Sequence, residues 1–339
     1  MATTTDDSKL DEVRERAARL PRVPLGHFPT PLEELSRLSK SLGGPRIFMK
    51  RDDCTGLLFG GNKTRHNEFI LGQAVDRGCN QVVWGAGVQS NNCRQTAAGC
   101  AKLGIPCHLV LSKADHSTDI QGNLLLDYVV GATVEFTDTP MGPELWATIG
   151  RVADRFRAEG KSTFSINDPA VRPSGAVSYV LGLIELLDQL DEIEATPDAI
   201  YVCSCGVTGA GLFLGKTLLG LGCPVISVAP IVWPGDNHAL LTDIANRAAE
   251  LLGIETRLTR DDIRLTFDFI GPGYGVPSPA GMEATRLVAQ TEGILLDPVY
   301  TAKAFAGLIA DIRGGKWRPD QNVVFIHTGG TPAMFAYQR

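Results

Sequence analysis

The 339-residue chain has no run of like charge, no internal repeat and no low-complexity segment. Its 32 Lys plus Arg stand against 38 Asp plus Glu, a formal charge of −6, and no basic stripe is present. That argues against nucleic acid as a partner. The polar start, residues 1–9, lacks the apolar core of a secretory signal, so a cytoplasmic protein is expected. Two uncharged stretches, 199–215 and 217–235, are broken by Gly, Ser or Pro and separated by Lys216. They read poorly as lipid-exposed helices and well as a buried strand, loop and helix, so no membrane partner is expected. Cys203-x-Cys205 has no second Cys pair and no His partners, which argues against zinc. The eight cysteines then read as mostly buried thiols. Apolar residues at 44% and charged residues at 21% are ordinary for a globular protein and exclude wholesale disorder. At roughly 100–200 residues per domain, the length suggests two domains.

What is present is alternation. Short runs rich in Val, Ile and Leu at 46–51, 81–84, 107–111, 133–137, 199–203, 225–229 and 322–327 read as buried strands. Between them, amphipathic patterns near 64–77, 91–103, 120–130, 143–158, 175–190, 236–252 and 279–292 read as helices. Repeated βα units predict an α/β protein with mostly parallel sheets flanked by helices. Residues 167–175 (Asn-Asp-Pro-Ala-Val-Arg-Pro-Ser-Gly) read as a crossover loop between domains. In such sheets the chemistry sits where strands end at their carboxyl side.

Four such loops stand out. In Phe59-Gly60-Gly61-Asn62-Lys63-Thr64-Arg65 the glycines permit close approach to a ligand. Lys63 falls at a helix start, where a cation opposes the helix dipole. A lysine that forms a Schiff base suits that place; an ordinary exposed lysine is the plain alternative. In Gly85-Ala86-Gly87-Val88-Gln89-Ser90-Asn91-Asn92, Ser90 and Asn91 can cap a helix, aim at a ligand, or do both. Ser204-Cys205-Gly206-Val207-Thr208-Gly209-Ala210-Gly211 exposes backbone N–H groups at a helix start, an anion cradle suited to phosphate. Small-residue helix packing is its alternative. It departs from a Walker A loop, and no acidic residue closes the next strand as a dinucleotide site requires, which leaves a mononucleotide or a phosphorylated cofactor. In His327-Thr328-Gly329-Gly330-Thr331-Pro332, Thr328 offers a neutral hydrogen bond, and His327 reads as a satisfied core histidine. Two tyrosine loops precede it: Gly273-Tyr274-Gly275 and Asp297-Pro298-Val299-Tyr300-Thr301. These tyrosines can pack turns, act as acids or stack.

Together these motifs resemble the fold-type II pyridoxal-phosphate enzymes, in the group of D-cysteine desulfhydrases and 1-aminocyclopropane-1-carboxylate deaminases that also holds L-cysteate sulfo-lyases. The resemblance runs from Pro24-Leu25-Gly26-His27-Phe28-Pro29-Thr30-Pro31-Leu32 to Phe335-Ala336-Tyr337. It implies a two-domain fold like the tryptophan synthase β chain, with a discontinuous large domain (1–65 and 175–339) and a small inserted one (66–174). It also implies a homodimer.

The same resemblance implies roles. Lys63 would hold pyridoxal 5'-phosphate and move the substrate's α-proton. Asn91 would hydrogen-bond the ring hydroxyl; Cys205, Gly206, Val207 and Thr208 would hold the phosphate, and Thr328 would face the pyridine nitrogen. Ser90, Tyr274 and Tyr300 would join Lys63 in catalysis. Gln89, Ser90, Asn91, Asn92 and Thr301 would contact substrate. Similar deaminases that open a cyclopropane ring carry Glu after the second tyrosine; this chain carries Thr301. A neutral Thr weakens the electron sink. That points to elimination of a β-substituent, with D-cysteine as the expected substrate and pyruvate and ammonia as products. L-Cysteate and then the cyclopropane substrate come next. Racemase or ammonia-lyase chemistry, and a silent cofactor-binding protein, are the competing readings. The chain departs from similar proteins at His66-Asn67, at Asn92-Cys93 and at 168–174. Whether His66 enters the pocket stays open, and Arg172 reads as a solvated loop arginine. Turned inward, Arg172 would suit a second anion such as a sulfonate.

Overall fold

The computed structural model describes residues 7–113 and 118–337; most of the polar start, residues 1–6, lies outside them. Ten strands are found among the described residues: β1 (Leu32–Glu34), β2 (Arg46–Lys50), β3 (Gln81–Gly87), β4 (Cys107–Ser112), β5 (Thr133–Thr137), β6 (Thr163–Ser165), β7 (Ala199–Cys203), β8 (Val225–Val228), β9 (Leu265–Thr266) and β10 (Asn322–Ile326). They form two sheets. One has the order β1-β2-β10-β7-β8-β9, the other β5-β4-β3-β6. Every pairing is parallel except β1 with β2. All seven expected strands are present. The three additional ones, β1, β6 and β9, are two or three residues long, too short for a hydrophobic period to show.

The α-helices are α1 (Asp7–Ala18), α2 (Ser36–Leu42), α3 (Asn62–Asp76), α4 (Asn91–Leu103), α5 (Gly122–Val129), α6 (Pro143–Ala158), α7 (Arg172–Glu192), α8 (Val207–Leu219), α9 (Asn237–Leu251), α10 (Pro279–Glu292) and α11 (Thr301–Arg313). Local chemistry sets their ends. The Ser90 hydroxyl caps α4, and Gly104 closes it in the left-handed conformation. Ser278 and Pro279 start α10, and Gly293 ends it. α11 has no side-chain cap at Tyr300, so it left no start signal in the sequence. The expected crossover loop is shorter than read: α7 begins at Arg172, and Pro173 sits in its first turn.

Each sheet is covered on both faces. α1, α7, α8 and α9 pack one face of the six-stranded sheet through Tyr179, Leu183, Phe213 and Ile244. α2, α10 and α11 cover the other through Leu38, Val288 and Phe305. α3, α4 and α5 cover one face of the four-stranded sheet, and α6 covers the other. The stretch Pro169–Glu192 is long and apolar enough by composition to cross a membrane, but 78% of its most apolar window is buried in the protein. It is a core helix. The stretches 199–215 and 217–235 form β7, α8 and β8, as expected. All eight cysteines are free thiols, five of them buried.

Register places the chemistry. Ile326 at the end of β10 pairs with Lys50 at the end of β2 and with Val202 near the end of β7. Three strands therefore deliver their following loops side by side.

Candidate active site

A cavity of about 240 Å³ opens where these loops meet. Its wall includes Lys63, Ser90, Asn91, Asn92, Cys205, Gly206, Val207, Thr208, Tyr274, Tyr300 and Thr328. These residues come from six loops of both sheets, and no two neighbouring loops in the chain account for the set.

Lys63 lies in the first turn of α3. The preceding loop is anchored by Asn62, whose N–H donates to the Thr328 carbonyl at 3.0 Å. The Lys63 amine has no hydrogen-bond or ion-pair partner among the described residues. Burial lowers its pKa to about 8, so far more of it is neutral and nucleophilic near physiological pH than of an ordinary lysine. Gly329, in the left-handed region, lies so close to Gly61 that a Cβ there would stand 2.7 Å from the Gly61 Cα. The double glycines thus let the Lys63 and Thr328 loops touch.

The N-terminus of α8 forms the expected cradle. The Ser204 hydroxyl accepts from the N–H groups of Gly206 (3.3 Å) and Gly209 (2.9 Å). The N–H groups of Cys205, Val207 and Thr208 have no acceptor among the described residues, and a helix start is electropositive. A Cβ on Gly206 would meet nothing within 4 Å, so the space in front of the turn is open. Thr208 Oγ1 accepts from Asn62 Nδ2 at 2.9 Å and pairs with His66 Nε2 at 3.0 Å. Burial first, then Lys63 and Arg65, hold the His66 pKa well below its ordinary value, so the ring that shares a hydrogen bond with the Thr208 hydroxyl is neutral.

Ser90 caps α4 and also lines the cavity wall. Its Oγ accepts from the N–H groups of Asn92 and Cys93 at 3.2 Å, and its own proton remains free to donate. Tyr274 and Tyr300 meet hydroxyl to hydroxyl at 2.5 Å with their rings edge to face. Burial raises the Tyr274 phenol to about 12 and the Tyr300 phenol well above its ordinary range, so both stay protonated. Lys303, wholly buried at 0% exposure, donates to the Gly273 carbonyl at 2.7 Å and so fixes the Tyr274 loop.

Gln89 and Thr301 stand outside the cavity wall. Gln89 Oε1 accepts from the Asn123 N–H at 2.9 Å and its Nε2 donates to the Gln121 carbonyl at 3.1 Å. The Thr301 hydroxyl donates to Asp297 Oδ1 at 2.7 Å. Asp297 also accepts the N–H groups of Val299, Tyr300 and Thr301, yet burial still raises its carboxyl. His327 is a satisfied core residue as expected: Nε2 donates to the Leu295 carbonyl and Nδ1 accepts the Gly329 N–H.

Arg172 corrects the sequence reading, because it lines the cavity and is not a solvated loop arginine. It lies over the Trp146 ring at 5.4 Å, and its guanidinium makes no hydrogen bond or ion pair with any described residue. Trp146 in turn packs against Trp233, whose indole N–H donates to the Cys205 carbonyl at 3.0 Å. His66 also lines the wall and so enters the pocket. The two tryptophans went unread because nothing in their neighbourhood marks them; only the fold brings them to the cradle. Among the described residues no group of three His, Cys, Asp or Glu side chains is placed to hold a metal ion.

A phosphorylated aldehyde fits this donor set. The cradle offers unpaired N–H groups for a phosphate, Lys63 an unpartnered amine for the carbonyl, Asn91 an amide and Thr328 a hydroxyl for the ring. The comparisons with known proteins agree. The family model described as pyridoxal-phosphate dependent enzyme matches residues 23–329. The chain is 37% identical over 323 residues to the D-cysteine desulfhydrase of Salmonella typhi, covering 94% of this chain and 97% of that one. The same figures hold for the D-cysteine desulfhydrase of Salmonella newport strain SL254. A solved structure described as an ACC deaminase homologue superposes with a TM-score of 0.87 at 32% identity, over 96% of this chain and 97% of that one. The cavity with Lys63 on its wall is the candidate active site, and the chain belongs to the pyridoxal-phosphate dependent enzyme family.

Proposed function

We propose that this enzyme is a carbon–sulfur lyase acting on D-cysteine, converting D-cysteine and water into pyruvate, ammonia and hydrogen sulfide. The observation that carries the reading is the unpartnered, desolvated Lys63 amine, set between an anion cradle and two protonated phenols. Relatives named D-cysteine desulfhydrase over nearly the whole chain support it. When bound, pyridoxal phosphate withdraws electron density from the substrate's α-carbon and makes its α-proton removable. Lys63 Nζ takes that proton, because a buried amine near pKa 8 is a competent base. Tyr274 and Tyr300 supply a proton to the departing sulfur. Ser90 and Asn92 bind the carboxylate from the helix start. Thr328 gives the ring a neutral partner, whereas Thr301, the residue expected to favour elimination over ring opening, stands outside the wall with its hydroxyl on Asp297 and does not carry that preference.

A second reading rests on Arg172. An unpaired guanidinium in the wall suits a sulfonate, which makes L-cysteate the competing substrate. The enzyme works as a homodimer in this proposal. Exposed Ile120, Leu125, Tyr128, Val129 and Phe335, on or beside α5, support a covered apolar face. The large and small domains divide near 65 and 175, with the four-stranded sheet in the inserted part. Eight free thiols support a reducing compartment, the cytoplasm.

The deciding experiment is pyruvate release from purified protein loaded with pyridoxal phosphate, offered D-cysteine, L-cysteine, L-cysteate, β-chloro-D-alanine and 1-aminocyclopropane-1-carboxylate. Turnover of D-cysteine, with hydrogen sulfide in equal amount, supports the first reading. L-Cysteate as the preferred substrate moves the assignment to the second. Turnover of the cyclopropane alone overturns both.

A further inference from the structure

Behind the Asn91 side of the cavity lies a chain of hydrogen bonds whose direction is set at its far end. Arg94 is one turn along α4 from Asn91 and is wholly buried. Its Nε donates to Asn123 Oδ1 at 2.7 Å. Asn123 Nδ2 donates to Asn91 Oδ1 at 2.9 Å and to the Gln89 carbonyl at 2.8 Å. A guanidinium can only donate. The Asn123 oxygen must therefore face Arg94, and its NH₂ must face Asn91. The Asn91 oxygen is then occupied, and Asn91 turns its NH₂ group into the cavity. The amide orientations follow from the valence of one residue and need no choice between flips.

The same guanidinium holds the approach to Lys63. It donates to the Leu58 carbonyl and, at 3.0 Å, to the Gly60 carbonyl. Leu58 and Phe59 both have positive φ, at 42° and 65°, a backbone state that side chains resist. Nearby Asp127 does not compete for Arg94: neither of its carboxyl oxygens has a hydrogen-bond partner, and burial pushes the carboxyl up to about 8. A parallel strut joins the same parts, since Gln95 Nε2 donates to the Asn91 carbonyl and Gln95 Oε1 accepts the N–H of Thr64, next to Lys63.

We infer that Arg94 is a positioning residue that acts through Asn123 to fix Asn91 as a hydrogen-bond donor toward the cofactor's ring oxygen. The inference rests on the reading of Asn91 as the ring contact. Its physical content is polarity: a donor at that point stabilises the oxygen in its deprotonated form, and an acceptor does the opposite. Asn123→Asp reverses the chain at nearly constant shape. The aspartate accepts from Arg94 and also from Asn91 Nδ2, which turns the Asn91 oxygen toward the ring, while the Gln89 carbonyl loses its donor in this variant and in Asn123→Leu alike. Asn123→Leu removes the link without reversing it.

The test is the pH titration of the bound cofactor's visible absorption in wild type, Asn123→Asp and Asn123→Leu. The protonation midpoint rises by at least about one pH unit in Asn123→Asp, because the deprotonated form loses its donor, and by less in Asn123→Leu. Thermal midpoints follow the opposite order, since leucine disturbs the packing more than aspartate. An Asn123→Asp midpoint equal to wild type, or a larger shift in Asn123→Leu, overturns the inference. Should Asn123→Asp not fold, Asn123→Leu decides: a raised midpoint supports the relay and an unmoved one rejects it. Wild type that binds no pyridoxal phosphate overturns the cofactor reading itself, a result distinct from a failed relay.

Discussion

Two cations stand two residues apart in the first turn of α3, and their surroundings are opposite. Arg65 is saturated. It makes four hydrogen bonds of 2.7–2.9 Å to the carboxylates of Asp52 and Glu185 and lies over the Phe28 ring at 4.3 Å. Lys63 has no partner among the described residues. Both oppose the helix dipole, so neither place favours a cation on local grounds. The fold compensates Arg65 with two carboxylates, the Tyr179 hydroxyl donating to Asp52 at 2.6 Å, and Lys50 donating to Glu185. The pKa values move accordingly. Asp52 and Glu185 are held below their ordinary range by Arg65 in spite of burial, whereas Lys63 falls because burial acts on it almost alone. A buried ion network gives shape; a buried lone amine gives reactivity.

The contrast can be broken from either side. Lys63→Ala has the largest expected effect: turnover falls to background and the absorption of bound cofactor disappears, while the circular dichroism spectrum of the fold persists. Activity retained in that variant would sink the mechanism. Arg65→Met acts on structure. It leaves Lys50 to face the two carboxylates without a second cation and costs about 3–5 kcal/mol of stability by urea unfolding, with the residual folded protein still binding cofactor.

The pH response sharpens the comparison. The Lys63 pKa is about 8 folded against 10.5 ordinarily, so between those values the unfolded chain binds more protons than the folded one. Stability of the cofactor-free protein therefore rises with pH across that window, and Lys63→Met flattens the slope. The rate of cofactor loading rises through pH 8 for the same reason. The smallest effect is expected at the cradle. Ser204→Ala removes the acceptor for the Gly206 and Gly209 N–H groups, lowering stability by about 1 kcal/mol and weakening cofactor binding several-fold, read by fluorescence titration.

Much of this architecture was legible along the chain. Strand runs such as 133–137 and 199–203 and helices such as 91–103, 143–158 and 279–292 carry their own periodicity and end signals. α11 escaped notice because its first N–H groups are satisfied by Asp297, not by a cap residue. The site loops were recognisable because close backbone approach demands glycine beside the functional side chain. Gln89 and Thr301 sit in those same loops but turn to Asn123 and Asp297, and no local rule gives that direction.

The sequence by itself determined the alternation of strands and helices, the glycine-flanked turn at 205–208 and the candidate amine at Lys63. Those follow from side-chain period, turn chemistry and nucleophile type, all of them local. Only the tertiary structure decided that Lys63 stays unpaired while Arg65 is neutralised, that Arg172, His66 and two tryptophans face the cavity, and that Arg94 sets the polarity of Asn91. Each of these depends on which groups from distant segments fill the space around a side chain, and that is decided by packing.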